Sequence, residues 1–224
     1  MLIVNNGEVT ISTVLFDLDG TLINSFPGIR HCANQAFIDN GYEPLDDETL
    51  LTFVGPPLHQ SFSKWVRDPA HVADLITSYR FHYANDGLLN YTIYEGILPV
   101  LDYLESAGKA LAVATLKPTR FAAHIIAESP LGDYFQVVSG TTSDHSDETK
   151  ADIITAALKG LGVTPGPNVC MIGDRHQDVE GATATSVSFI GAGWGFGSVA
   201  EFSAAGATVI CQQPSGLVAL LPSL

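Results

Sequence analysis

Short apolar runs that stop at a charged residue or a glycine recur along this chain, and they restrict its folding more than any other feature. Val14-Leu15-Phe16 breaks off at Asp17-Leu18-Asp19-Gly20-Thr21. Comparable β-rich runs span Ala110 to Thr115, Phe135 to Gly140, Asn168 to Gly173, Val187 to Gly191 and Thr208 to Cys211. Helical patterns lie between them, at Gly96 to Ala107, Pro118 to Glu128, Thr149 to Leu161 and, more briefly, after Asp178. Strand and helix in alternation imply parallel strands joined by crossover helices. Ala110-Leu111-Ala112-Val113-Ala114 is apolar on both faces, which suits a strand covered on both sides. The expected fold is α/β: a doubly wound parallel sheet, Rossmann-like.

One region departs from this rhythm. From about Pro27 to Tyr94 the helical patterns Ile29 to Asp39, Pro57 to Val66 and Pro69 to Asn85 follow one another with no convincing strand. The simplest account is an α-helical cap at 25–94 inserted into a core made of 1–24 and 95–224. The insert leaves from the carboxyl end of the first strand, the edge at which open α/β sheets bind ligands. It could therefore act as a lid.

The balance of charge narrows the partners. Lys plus Arg number 10 against 24 Asp plus Glu, a formal charge of -14. Nucleic acid is excluded as a main partner, because phosphate backbones want clustered cations. A phosphorylated substrate would meet the same repulsion unless a metal ion and a few placed cations reverse the field locally. Cys32, Cys170 and Cys211 lie far apart without metal-ligand spacing and read as small buried hydrophobes in a reducing compartment. Met1 to Asn6 lacks the features of a signal peptide, and no apolar run is long enough to span a bilayer. A cytoplasmic location is expected, with monomer and homodimer both open.

Three groups of residues at proposed strand ends carry chemistry. Asp17 and Asp19 are two apart, so continued strand geometry points both carboxylates into one small volume. Such a pair repels unless a hard cation such as Mg2+ compensates; an ordinary Asp-Gly turn is the competing reading. Asp174 ends the run Val169 to Gly173, and Asp178 follows in a first helical turn, where capping alone would also explain it. Thr115, with the backbone N–H groups of Leu116 and Lys117, could hold a phosphate oxygen at a helix start, or Thr115 could simply cap that helix. Lys150 stands at another helix start, against the dipole. It either neutralises anions there or is solvated among acids.

Other features carry less. His31, His59, His71, His82, His124, His145 and His176 contain no HExxH pair, so no zinc site is indicated. Ser143-Asp144-His145 is consecutive, which is not how triad members meet. Gly191, Gly193, Gly195 and Gly197 alternate after a strand without forming the dinucleotide fingerprint. They suggest a flexible loop bordering the site, with Trp194 and Phe196 packed on neighbouring elements. Tyr79, Phe81 and Tyr83 alternate with Arg80 and His82 and should divide between core and surface.

Together these residues resemble the haloacid dehalogenase-like hydrolase superfamily, in its phosphoglycolate phosphatase-like branch with a helical cap. Phe16-Asp17-Leu18-Asp19-Gly20-Thr21-Leu22 is similar to its first motif. Ala114-Thr115 with Lys117-Pro118 is similar to the second, Lys150 to the third, and Gly173-Asp174-Arg175 with Asp178 to the fourth. Tyr94-Glu95-Gly96-Ile97 resembles the return from cap to core, and Val54-Gly55-Pro56-Pro57-Leu58 a cap segment facing substrate. Many relatives carry Asp where this chain has Asn24, and Ser or Asn where it has Leu116. The resemblance implies a Mg2+-dependent phosphatase of small phosphorylated metabolites. Asp17 is then the nucleophile, Asp19 the acid and base, and Thr115 and Lys150 the phosphoryl stabilisers, with Leu116 beside them binding substrate. The metal falls to Asp17, the Asp19 carbonyl and Asp174, with Asp178 ordering it from nearby. A 5′-nucleotidase, a sugar-phosphate mutase and a non-enzymatic phospho-accepting switch are the alternatives.

Overall fold

The computed structural model describes residues 10–56, 58–143 and 147–221. The Met1 to Asn6 segment, Pro57, and the Asp144 and His145 of the serine–aspartate–histidine run lie outside them. The chain forms two compact units, one of Met1–Ile23 with Ile93–Leu224 and the other of Asn24–Thr92. Among the described residues no helix is long and apolar enough to cross a membrane.

In the larger unit the sheet begins with β1 (Thr13–Phe16). Two short strands, β2 (Ile23–Asn24) and β3 (Thr92–Ile93), pair with each other where the chain leaves and re-enters that unit. The main sheet continues with β4 (Ala110–Pro118), β5 (Val137–Thr141), β6 (Val169–Gly173), β7 (Ser188–Ala192) and β8 (Ile210–Cys211). All its pairings are parallel, in the spatial order β5-β4-β1-β6-β7-β8. Counting only these six strands, that is the doubly wound order 3-2-1-4-5-6. Its switch point falls between β1 and β6, where crossovers leave in opposite directions and a crevice opens at the carboxyl ends.

The smaller unit is helical: α1 (Phe26–Asp39), α2 (Asp47–Leu51), α3 (Leu58–Ser63) and α4 (Pro69–His82), the last running into a π turn at Tyr83–Gly87. Asp68 caps α4 from a side-chain oxygen that accepts from Ala70 N, with Pro69 opening the helix. An aromatic cluster forms its interior, with Phe62 5.5 Å from Phe37, 5.2 Å from Phe53 and 6.1 Å from Tyr79 between ring centroids. Tyr79 and Tyr83 are buried while Phe81 is exposed, the division expected of neighbours on a helix. Gly28 and Gly87 let α1 and the π turn touch through their backbones, because a β-carbon on Gly28 would overlap the Gly87 carbonyl. The expected helix to Val66 stops at Ser63, and α2 and β3 were not anticipated: each is too short to show a period.

The sheet is covered by α5 (Ile97–Ser106) and α6 (Thr119–Ala127), then α7 (Lys150–Leu161), α8 (His176–Ala184) and α9 (Val199–Ala205), with a terminal α10 (Leu217–Leu220). Right-handed crossovers put α5 and α6 on one face and α7 to α9 on the other. Leu15, Ala112, Ala114 and Met171 form one core layer with Ile153, Ile154 and Leu158 of α7. Val14 and Phe16 alternate with Leu15 and face the opposite layer.

One local expectation is corrected. β4 runs on to Pro118, which pairs with Thr141 beyond an irregularity in the ladder, and α6 starts only at Thr119. Pro118 disfavours helical geometry in the residue before it, so the helix cannot begin at Leu116 or Lys117. Thr115 therefore does not cap α6, and the Leu116 and Lys117 N–H groups do not belong to a first helical turn.

Candidate active site

Asp17 prolongs β1 by one residue, its N–H donating to Ile172 O at 2.8 Å. The chain then turns at once. Leu22 N and Ile23 N both donate to Leu18 O at 3.0 Å, and Gly20 takes φ +84°, a left-handed conformation that suits glycine. Past this turn the two carboxylates take different lysine partners. Asp17 Oδ1 accepts from Lys150 Nζ at 2.6 Å. Asp19 Oδ1 accepts from Lys117 Nζ, also at 2.6 Å.

Lys150 opens α7 behind the cap Thr149, which exchanges hydrogen bonds with Asp152. It is only 4% exposed, which rules out the solvated reading. Its Nζ also meets Asp178 Oδ1 at 2.6 Å. Burial alone would pull its pKa down, but Asp17 and Asp178 outweigh burial and hold it above the usual lysine value. Gly181 makes room for the Lys150 stem, since a side chain there would press on it.

Asp174 follows β6 and is wholly buried. Its Oδ2 accepts from Phe196 N at 2.8 Å, while its Oδ1 is buried with no hydrogen-bond partner among the described residues. Burial, then the charges of Asp17 and Asp178, raise its pKa well above the ordinary carboxylate value. Asp178 sits in the first turn of α8. Its Oδ2 accepts from Arg175 N at 3.0 Å and its Oδ1 pairs with Lys150, so it both caps the helix and joins the cluster.

One carboxylate oxygen from each of Asp17, Asp174 and Asp178 lies within 4.8 Å of the others. The Asp19 side chain is not part of that group. Three buried acids face one buried lysine, an excess of two negative charges when all are ionised. Without further cations the group resists ionisation, and burial, ahead of the Asp178 and Asp19 charges, pushes Asp17 up to about 6 despite Lys150. A divalent ion matches the missing charge, the hard oxygen donors and the orphaned Asp174 Oδ1.

Thr115, on β4 next to β1 in the sheet, is buried, its Oγ1 accepting from Lys117 N at 3.2 Å. The Leu116 side chain is exposed and its carbonyl accepts from Thr141 Oγ1 at 3.4 Å.

Three contributors were missed in the sequence. The Lys117 side chain grips Asp19; lying two residues beyond Thr115 in an extended segment, it could have been placed on the same face. Phe196 supplies an N–H to Asp174, from a loop whose alternating glycines could have been read as a close backbone approach. Glu201 Oε1 accepts from Arg175 Nε at 2.8 Å, His176 N at 2.9 Å and the His176 ring at 2.8 Å. Burial opposes its charge, yet these donors bring its pKa down to about 2.

The chain is similar to several known proteins. The chain is 34% identical over 211 residues to a 5′-nucleotidase of Pseudomonas aeruginosa, covering 94% of this chain and 95% of that one. It is 33% identical over 198 residues to the tyrosine-protein kinase PtkA of Mycobacterium tuberculosis, covering 88% and 67%. The solved PtkA structure superposes with a TM-score of 0.82 at 30% identity, over 95% of this chain and 98% of that one. A phosphoglycolate phosphatase of Rhodobacter capsulatus is 31% identical over 187 residues, covering 79% and 82%. Residues 14–192 match the haloacid dehalogenase-like hydrolase family, and the chain belongs to it.

Proposed function

We propose that this protein is a Mg2+-dependent phosphatase that hydrolyses small phosphomonoesters through an aspartyl-phosphate on Asp17. The observation that carries the reading is Asp17 at the switch-point strand end, held by Lys150 beside a buried, under-neutralised acid cluster. Asp17 and Asp174 side chains and the Asp19 carbonyl would hold the ion, with Asp178 orienting the group through Lys150 and Arg175 N. When bound, Mg2+ supplies positive charge to the phosphoryl oxygens.

Asp17 attacks phosphorus as the ester P–O bond breaks, and Asp19 gives its proton to the leaving alkoxide. A water then attacks the aspartyl-phosphate while Asp19 takes its proton. Inorganic phosphate leaves and the Asp17 carboxylate is regenerated. Lys117 keeps the Asp19 carboxylate in place between these steps. Lys150 and Thr115 spread charge in the transferring group, with the Leu116 backbone beside them at the phosphate.

The substrate is a small phosphorylated metabolite of the phosphoglycolate kind, handled in the cytoplasm. A 5′-nucleotide is the second reading, favoured by the near full-length match to a 5′-nucleotidase. Turnover of 4-nitrophenyl phosphate with and without Mg2+ tests the reaction. Asp17→Asn should lower kcat at least about a thousandfold. A single stoichiometric phosphorylation without turnover would point to a switch, and transfer from ATP to tyrosine to a kinase like PtkA. Comparing kcat/KM across phosphoglycolate, 5′-nucleotides and sugar phosphates separates the substrate readings.

A further inference from the structure

The glycine-alternating run after β7 has no part in the steps above, yet it touches both acidic loops. Trp194 Nε1 donates to Thr21 O at 3.0 Å, and Phe196 N donates to Asp174 Oδ2 at 2.8 Å. The glycines between them allow this approach. A β-carbon on Gly195 would overlap the Gly20 carbonyl and the Asp174 side chain, and one on Gly197 would overlap the Asp174 carbonyl. One on Gly20 would strike the Asp174 carboxylate and the Phe196 ring.

The run is fixed at both ends. Gly193 N donates to Cys211 O at 2.8 Å. Ser198 caps α9 by accepting from Glu201 N, and the Glu201 carboxylate binds Arg175 and His176 just past Asp174. Asp174 thus has one oxygen secured by a backbone N–H and the other buried without a partner among the described residues. A carboxylate held on one edge presents its other edge in a single direction, which is how outer contacts tune a metal ligand.

We infer that residues 193–197 form a clasp that positions Asp174 as a one-oxygen cation ligand, with the Trp194 indole tying it to the first acidic loop. Trp194 and Gly195 are positioning residues; neither is placed on the substrate. The inference rests on the cation site proposed above.

The test is Mg2+ binding to the full chain without substrate, by calorimetry. Trp194 emission in a Trp65→Phe background gives a second signal for the wild-type site, Gly195→Ala and Asp174→Asn, while Trp194→Phe is read by calorimetry. Gly195→Ala should weaken Mg2+ about tenfold or more. Trp194→Phe, which keeps an aromatic ring and loses the N–H donor, should weaken it about threefold. Both variants should regain phosphatase activity as Mg2+ is raised to saturation, which a generally damaged fold would not do. Asp174→Asn is the control and should abolish binding. Absence of Mg2+ binding by the wild type, or an Asp174→Asn variant that binds like it, overturns the cation reading itself. Loss in Asp174→Asn with wild-type affinity in Gly195→Ala and Trp194→Phe overturns the clasp alone. Should Gly195→Ala fail to fold, Trp194→Phe decides.

Discussion

In the sheet unit Lys150 lies between Asp17 and Asp178 almost without solvent contact, whereas in the helical unit Arg30 meets Asp47 with side chains 48% and 62% exposed. Both contacts are short, at 2.6 and 2.9 Å, so distance does not distinguish them. Solvent does. Water screens the exposed pair and leaves it little net energy. The buried cluster has surrendered hydration on every member and is held by surrounding structure rather than by its own attraction. Paired charges on a surface say little about function; an excess of buried acids calls for a chemical reason.

The largest break of this contrast is Lys150→Met. It leaves Asp17 and Asp178 buried without their cation and should cost about 3–5 kcal/mol of stability in chelator, read by urea unfolding. Activity should fall by at least about a hundredfold. A variant as stable as wild type would erase the distinction between the two units.

A smaller effect is pH-dependent. Folding raises Asp17 from 3.8 to about 6, so the folded state favours its neutral form. That contribution is complete below pH 3.8 and is lost as pH rises through about 6. In metal-free buffer Asp17→Asn should gain stability relative to wild type between pH 4 and 7, on the order of 1–3 kcal/mol. Saturating Mg2+ should flatten the trend. A flat difference in chelator would mean that Lys150 alone neutralises the site.

The smallest effect is Asp47→Ala, which removes an exposed partner and one charge from the first turn of α2. Thermal unfolding should place it within about 1 kcal/mol of wild type. A larger loss would show that the surface pair is coupled to the aromatic interior.

Much of the sheet was readable because each strand is a short apolar run ended by a polar or glycine residue, and the ends carry the acids. Asp17 and Asp174 could be assigned to one edge from that placement alone. What sequence could not convey was which cation each acid meets: Asp19 is two residues from Asp17, yet Asp17 pairs with Lys150 and Asp19 with Lys117. Long-range partners were equally hidden. Ser198 and Glu201 have the spacing of a capping box. The Ser198 hydroxyl does cap α9, but the Glu201 carboxylate goes to Arg175 and His176. The Asp46 cap of α2 is local, but a helix of five residues has too few turns to reveal a face.

The central position of β1 has a consequence for how the protein is made. Thr13 pairs with Ala110 on one side and Val169 on the other, so the strand leading to Asp17 waits for both neighbours to be translated. At roughly 5–20 residues per second the second neighbour emerges on the order of ten seconds after the first strand. The helices of Asn24–Thr92 enclose their own aromatic interior and can settle meanwhile through local contacts. A nascent chain short of Val169 therefore carries an apolar strand with an open flank and lacks Asp174 and Asp178. Such a chain is sticky before it is competent, and aggregation during synthesis is the hazard that this strand order builds in.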